Sequence, residues 1–213
     1  MTDVFPMLTA IPYLVGLSVI AWLISLKTMN AAVVDAFWPL FIAAATLTYA
    51  LEAPRITSTT WLVLALVGLW AVRLLLHVTI RSWQEIEDRR YAEIRARWGD
   101  KFALKSLLGI FGLQVTLAWL ISSSLLVATS PTANLTFVHV IAASIWLFGL
   151  TFETVADIQL RRFKVSNNRN SVLDTGLWRY SRHPNYFGEC CVWWSAYLLA
   201  LPSGGWWTIL SPL

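Results

Sequence analysis

The chain has 213 residues, of which 57% are hydrophobic and only 13% are charged, and its formal net charge is +4. Soluble domains carry about 25% charged residues, so this composition excludes an ordinary soluble protein. The 13 tryptophans agree with this, because tryptophan is enriched where membrane helices meet the bilayer surfaces. We therefore predict a single integral-membrane domain over residues 1–213.

Apolar segments close to the length that crosses a bilayer predict six helices. They lie at residues 8–26, 31–51, 60–80, 106–128, 135–160 and 185–201. A seventh apolar segment begins near Trp206. The predicted fold class is all-α, a polytopic transmembrane bundle of six full helices plus the start of a seventh.

The basic residues predict how the bundle is oriented. Thirteen of the sixteen Lys and Arg lie between Arg81 and Lys105 or between Arg161 and Arg182. Two crossings separate these segments, so they lie on one side, which the positive-inside rule makes cytoplasmic. The N-terminus and the turn at residues 129–134, which has no Lys or Arg, are expected outside.

Three ionisable residues fall inside the predicted second and third helices, at Asp35, Arg73 and His77. A charge in the bilayer is costly, so each side chain should face a partner or a cavity. The simplest arrangement pairs Asp35 with Arg73 or His77 across the bundle. Such a pair either fixes the packing of the helices or donates a proton to a substrate carbonyl and orients it. Asp35, Arg73 and His77 are therefore the candidate catalytic residues.

The basic segment at residues 81–105 mixes both signs of charge. Glu85 and Arg89 are four residues apart, as are Glu93 and Arg97, which favours an amphipathic surface helix. Its simplest role is to rest on the headgroups of membrane lipids.

Four charged residues share one face of the predicted fifth helix. Glu153, Asp157, Arg161 and Lys164 recur at spacings of four, four and three residues. Asp157 can pair with Arg161 and orient it. The face is either a self-paired helix end or a binding surface.

The stretch from Asp174 to Glu189 leads into the sixth helix. Gly176 allows a turn, and Pro184 suits the first helical turn, where its missing N–H costs nothing. The helix N-terminus offers N–H groups and a positive dipole end to a phosphate. The polar residues around it are Arg179, Arg182, His183, Asn185, Tyr186 and Glu189. The pattern predicts a receptor for a phosphorylated, nucleotide-like anion approached from the cytosol.

Other familiar sites are not indicated. Cys190 and Cys191 are adjacent, so neither a disulfide nor a metal site is expected. The sequence contains no phosphate-binding P-loop and no Rossmann fingerprint.

The residues from Asp174 to Glu189 resemble the signature of the DUF1295 membrane proteins, which are related to steroid 5α-reductases and more distantly to sterol C14 reductases. The segments 153–164, 87–91 and 69–73 are similar to the same family. The resemblance implies a seven-helix bundle in the bacterial inner membrane. It also implies NADPH bound from the cytosol and a lipophilic small-molecule substrate with an activated carbon–carbon double bond. No nucleic-acid partner is expected.

The resemblance also implies roles for individual residues. Asp157, Arg161, Lys164 and Asn185 match nucleotide-binding positions, while Glu153 stands where the steroid enzymes have asparagine. The residues expected to line the same pocket are Arg179, Arg182, His183, Tyr186 and Glu189. The steroid enzymes use a carboxylate of helix two, for which Asp35 can stand, and a tyrosine of helix three, where this chain has only Arg73 and His77.

The family pattern continues with a complete seventh helix and a basic tail, so the chain is expected to be truncated before them. Two other functions stay open. Arg182-His183-Pro184-Asn185-Tyr186 is similar to the core of isoprenylcysteine carboxyl methyltransferases, which use S-adenosylmethionine. A non-catalytic lipid-binding or scaffold protein is the other alternative.

Overall fold

The computed structural model describes residues 4–82, 87–130, 135–166 and 172–212, with the side chain of Ser82 left aside. These ranges contain helices and turns and no strand, which confirms the all-α fold class. The helices are α1 (Phe5–Thr28), α2 (Val33–Glu52), α3 (Ser58–Ser82), α4 (Arg89–Trp98), α5 (Phe102–Ser106), α6 (Leu113–Ile121), α7 (Ser123–Ala128), α8 (Phe137–Val165) and α9 (Pro184–Ala200).

Five segments of the described chain are long and apolar enough to cross a membrane. They are α1, α2, α3, the nearly continuous Arg89–Ala128 and α8. The predicted sixth helix is α9, which has 17 residues and packs along α8. The outer turn was predicted at residues 129–134, of which residues 131–134 lie outside the described residues.

The helix predicted at 106–128 is present, but it is not a regular α-helix throughout. A π-helical segment at Leu107–Gly112 separates α5 from α6, and α6 ends at Ile121, with Ser122 between α6 and α7. The Ser122 hydroxyl donates to the Trp119 carbonyl at 2.8 Å and lies 2.7 Å from the Tyr49 hydroxyl. Serine side chains that bond to the backbone compete with helical hydrogen bonds, which explains the break.

The predicted surface helix is present as α4, capped by Asp88, whose carboxylate accepts from a backbone N–H of the first turn. Its expected ion pair is different, however. Glu93 accepts from Arg89 at 2.8 Å and not from Arg97. The predicted contact of Glu85 lies outside the described residues.

The segment after α9 forms a 3₁₀ helix, Gly205–Leu210, and not the first turns of an α-helix. It lies against α7 and α9. The Ser211 hydroxyl holds it there by donating to the Ile121 carbonyl at 2.5 Å. The apolar pattern near Trp206 therefore marked a helical segment, but of a different type.

Helix packing leaves space on one side of the bundle. α1, α2 and α3 pack in succession, and α8 packs closely on α9. α3 and α8 touch over only a short stretch, and the cleft described below lies between them.

Candidate functional site

Two glycines let α8 and α9 pack backbone against backbone. A Cβ atom on Gly188 would lie 2.7 Å from the backbone nitrogen of Glu153, and one on Gly149 would lie 2.6 Å from the carbonyl oxygen of Gly188. These neighbours are main-chain atoms that cannot turn aside. Small residues allow this close approach of membrane helices. The contact brings the polar side chains of α9 beside those of α8.

The segment before α9 is fixed to α8. Gly176 has a φ of 60°, and a Cβ atom there would collide with the side chain of Gln159. Gln159 accepts a hydrogen bond from the Leu177 N–H at 3.0 Å, and Trp178 donates to an α8 carbonyl at 3.0 Å. α9 then begins at Pro184, which confirms the predicted helix start. The turn therefore sets where the α9 side chains enter the bundle.

Arg73 of α3 lies between two carboxylates of α8. Its guanidinium donates to Glu153 Oε1 at 2.5 Å, to Asp157 Oδ2, and to the Thr154 hydroxyl at 3.2 Å. The side chains of Arg73, Glu153 and Asp157 are only 13%, 8% and 7% exposed. Charges buried this deeply are costly unless they are paired. Arg73 is therefore the group that allows two carboxylates one turn apart in this helix.

Asn185 connects the start of α9 to these residues. Its Nδ2 donates to Asp157 Oδ1 at 3.4 Å, and Arg73 donates to Asp157 Oδ2. Asp157 is therefore bound by Asn185 and Arg73, and the expected pair of Asp157 with Arg161 is wrong. Asn185 Oδ1 and Glu153 Oε2 are buried and have no hydrogen-bond partner among the described residues. Buried acceptors of this kind are unfavourable unless a donor reaches them. The two atoms therefore mark a position for a hydrogen-bond donor.

Glu189 is held by two tryptophans. Trp70 Nε1 donates to Oε2 at 3.2 Å and Trp193 Nε1 donates to Oε1 at 2.8 Å, while the two indoles meet edge to face at 5.4 Å. Glu189 is also near enough to Glu153 for their charges to interact. Sequence reasoning included Glu189 but missed Trp70. The available signal was its position three residues before Arg73, on the same face of α3.

A cleft of about 990 Å³ lies between α3 and α8. Most of its wall is apolar, including Leu64, Leu69 and Val72 of α3 and Leu150, Val155 and Ile158 of α8. One end is polar and is lined by Arg73, His77, Asp157 and Arg161. His77 Nε2 lies 3.6 Å from Asp157 Oδ2. We call Arg73, His77, Glu153, Asp157 and Asn185 the ion network.

The other predicted cofactor residues lie on the surface at the same end of the bundle. The exposed side chains are Arg161, Lys164, Arg179, Arg182, His183 and Tyr186. The rings of His183 and Tyr186 are stacked, with centroids 5.1 Å apart and an angle of 11° between planes. The exposed Arg and Lys side chains are therefore accessible to an anionic ligand from solution. The ion network lies deeper and consists of less exposed side chains.

The predicted pairing of Asp35 with Arg73 or His77 is wrong. Asp35 accepts a hydrogen bond from the Tyr91 hydroxyl at 2.7 Å and lies 3.5 Å from Arg90 Nη2. The reason is that Asp35 lies in the first turn of α2, which α4 covers, while Arg73 is bound by α8. Asp35 therefore belongs to a separate cluster and not to the cleft.

The same cluster fixes α4 to the turn between α1 and α2. Glu87 accepts from the Ala31 N–H at 2.8 Å and from two nitrogens of Arg95 at 2.8 and 3.1 Å. Burial raises the pKa of Glu87, but the hydrogen bonds from Arg95 and Ala31 outweigh it and hold that pKa below its usual 4.5. These contacts are structural, and the sequence alone did not indicate them.

The comparisons with known proteins extend over most of the chain. The profile of the family described as "Protein of unknown function (DUF1295)" matches residues 21–213. An uncharacterized protein of Schizosaccharomyces pombe, C594.04c, is 26% identical in an alignment that is 222 positions long with its gaps and that covers 88% of this chain. The chain spans 64% of the length of that relative. No solved structure matches the chain.

Proposed function

We propose that this chain, which belongs to the DUF1295 family, is a membrane-embedded reductase that uses NADPH to reduce a carbon–carbon double bond conjugated to a carbonyl in a lipophilic substrate. One observation carries the proposal: Asp157 belongs to both halves of the site. It lines the apolar cleft together with His77, and it is bound by Asn185 at the start of α9. A hydrophobic substrate and a phosphorylated cofactor can therefore approach each other at Asp157.

The described residues fit the chemical groups of NADPH. Exposed cations suit its phosphates, and arginine in particular binds phosphate with two parallel hydrogen bonds. The buried acceptors Asn185 Oδ1 and Glu153 Oε2 suit an amide N–H donor. When bound, NADPH supplies a hydride to the double bond. The residues assigned to the phosphates are Lys164, Arg179 and Arg182, which are exposed and do not line the cleft.

His77 is the side chain best placed to hold the proton that completes the reduction. Reduction of a conjugated double bond places negative charge on the carbonyl oxygen, which a nearby donor stabilises. Both Arg73 and His77 line the cleft, but Arg73 already donates three hydrogen bonds to α8. We assign proton transfer to His77 and assign Arg73 to fixing the carboxylates. Asp35, in the α4 cluster, has no part in this scheme.

Deuterium transfer tests the proposed reaction. The protein in lipid nanodiscs is incubated with a cellular lipid extract and with NADPH that carries deuterium at the transferable position. We expect a lipophilic molecule to gain one deuterium from NADPH and one hydrogen from water, as read by mass spectrometry. The His77→Gln variant should slow the transfer by roughly 100-fold or more, the usual contribution of a general acid.

The same lipid extract distinguishes the competing functions. Transfer of a labelled methyl group from S-adenosylmethionine, without deuterium transfer from NADPH, would establish a methyltransferase and overturn the proposal. A folded protein that transfers neither label, with several lipid extracts, would favour a non-catalytic lipid-binding role.

A further inference from the structure

We infer that the cleft between α3 and α8 holds an elongated, single-chain amphiphile that enters sideways from the bilayer, with its polar head at the His77–Arg161 end. That this amphiphile is the substrate rests on the proposed function, whereas its binding in the cleft does not. The inference concerns binding, so it can be tested without NADPH.

The length of the cleft matches one leaflet of a membrane. Its lining runs from Leu64 to His77 on α3 and from Leu150 to Arg161 on α8. At a rise of about 1.5 Å per residue these stretches are about 20 and 17 Å long. The hydrocarbon core of a bilayer is about 30 Å thick, so half of it is about 15 Å. An amphiphile of a single leaflet therefore reaches from the polar end to the apolar end.

Small residues keep the apolar part of the cleft open. Ala65 and Gly68 line it, and a Cβ atom built on Gly68 would meet no heavy atom within 4 Å. The free space is therefore not filled by neighbouring helices. A volume of about 990 Å³ lies at the upper end of ordinary small-molecule pockets, which suits a single-chain molecule better than a two-chain phospholipid.

The charges at the polar end favour an anionic or carbonyl head. The guanidinium of Arg73 is taken up by Glu153 and Asp157. Arg161 lines the cleft and is exposed, so its positive charge faces the space where the head would lie. A carboxylate or a carbonyl oxygen can accept from this guanidinium and from His77.

A second cavity of this protein has no ionisable residue of the described chain in its lining. It has a volume of about 460 Å³ and lies between α1 and the segment around α6. Its lining includes Leu14, Val15 and Val115, and no Asp, Glu, Lys, Arg or His of the described residues lines it. Hydrocarbon chains can occupy both grooves, but only the α3–α8 cleft can select a head group.

Photolabelling with a diazirine analogue of palmitic acid tests the inference. The protein is held in phosphatidylcholine nanodiscs without NADPH, and the labelled peptides are found by mass spectrometry. We expect saturable labelling on α3 and α8. Palmitic acid should compete with this labelling, and hexadecanol should compete more weakly. Added phosphatidylcholine or cholesterol should not compete.

Two pairs of variants make the test specific. Gly68→Leu fills the cleft and should weaken binding roughly tenfold or more, the usual effect of a misfit in an apolar pocket. Gly16→Leu, at a position on α1 that also has no heavy atom within 4 Å, should leave binding unchanged. Arg161→Ala should abolish the preference for palmitic acid over hexadecanol, and the exposed neighbour variant Arg162→Ala should keep it.

The outcomes separate this inference from the proposed reductase. Equal loss of labelling in Gly68→Leu and Gly16→Leu, or displacement by phosphatidylcholine or cholesterol, would show that the cleft holds other lipids and would overturn it. Labelling with the expected pattern in a protein that never binds NADPH would support the inference and contradict only the reductase.

Discussion

Replacing Arg73 by methionine should destabilise the protein more than any other charge removal we consider. Arg73 compensates two carboxylates, Glu153 and Asp157, whose side chains are 8% and 7% exposed. Methionine keeps much of the side-chain volume but removes the charge and its hydrogen bonds. The variant therefore leaves two buried acidic side chains without the guanidinium that binds them both.

The magnitude follows from the burial. Removing one partner of a buried ion pair costs about 3–5 kcal/mol. For a chain of this size about 1 kcal/mol shifts the melting temperature by about 2–4 °C, so a decrease of roughly 6–20 °C is expected. The further changes Glu153→Gln and Asp157→Asn remove the uncompensated charge. The triple variant should therefore recover most of the loss.

Thermal unfolding in detergent, followed by near-ultraviolet circular dichroism of the 13 tryptophans, measures this effect. Arg97→Met, at an exposed position of α4, is the control and should change the stability by less than about 0.5 kcal/mol. If Arg73→Met melts like Arg97→Met, or if the triple variant is no more stable than Arg73→Met, the ion network does not have the role described.

Three other predictions test separate parts of the structure by the same thermal measurement. Gly188→Ala should lower the free energy of unfolding by about 1–3 kcal/mol because the added Cβ meets main-chain atoms. Gly68→Ala, in open space, is the control and should stabilise its helix by up to about 1 kcal/mol. Equal effects of the two substitutions would contradict the close packing of α8 and α9. Tyr91→Phe leaves the Asp35 carboxylate without its hydroxyl donor and should cost about 1–3 kcal/mol, and an unchanged stability would mean that this hydrogen bond is absent. Burial raises the pKa of Glu87, but hydrogen bonds outweigh this effect and hold that pKa below its usual 4.5. The ionised Glu87 therefore stabilises the fold above pH 4.5, and this stability is lost as the pH falls through the lowered pKa. Glu87→Gln should therefore lose less stability than the unmodified protein on acidification, and parallel pH curves for the two would refute this.

Helix positions could be predicted because hydropathy alone determines which segments avoid water. The start of α9 was predicted closely because Pro184 has a fixed backbone preference. The break at Ser122 could not be predicted in the same way. The Ser122 hydroxyl contacts both the Trp119 carbonyl and Tyr49, 73 residues earlier in the chain, and no local pattern contains the second contact.

The α8 part of the site was predictable because helical spacing places Glu153 and Asp157 on one face. Their partner was not predictable. Periodicity shows that a buried charge needs a neighbour, but it cannot say which helix supplies it. The sequence suggested Asp35 for Arg73, but in the structure Asp35, in the first turn of α2, contacts Tyr91 and Arg90 in the first turn of α4.

Calorimetric titration of the protein in nanodiscs with NADPH, and separately with S-adenosylmethionine, tests the central claim most directly. We predict saturable binding of NADPH that is tighter than binding of S-adenosylmethionine and that weakens strongly in Asn185→Ala. Tighter binding of S-adenosylmethionine, or no saturable binding of NADPH by the folded protein, would contradict it.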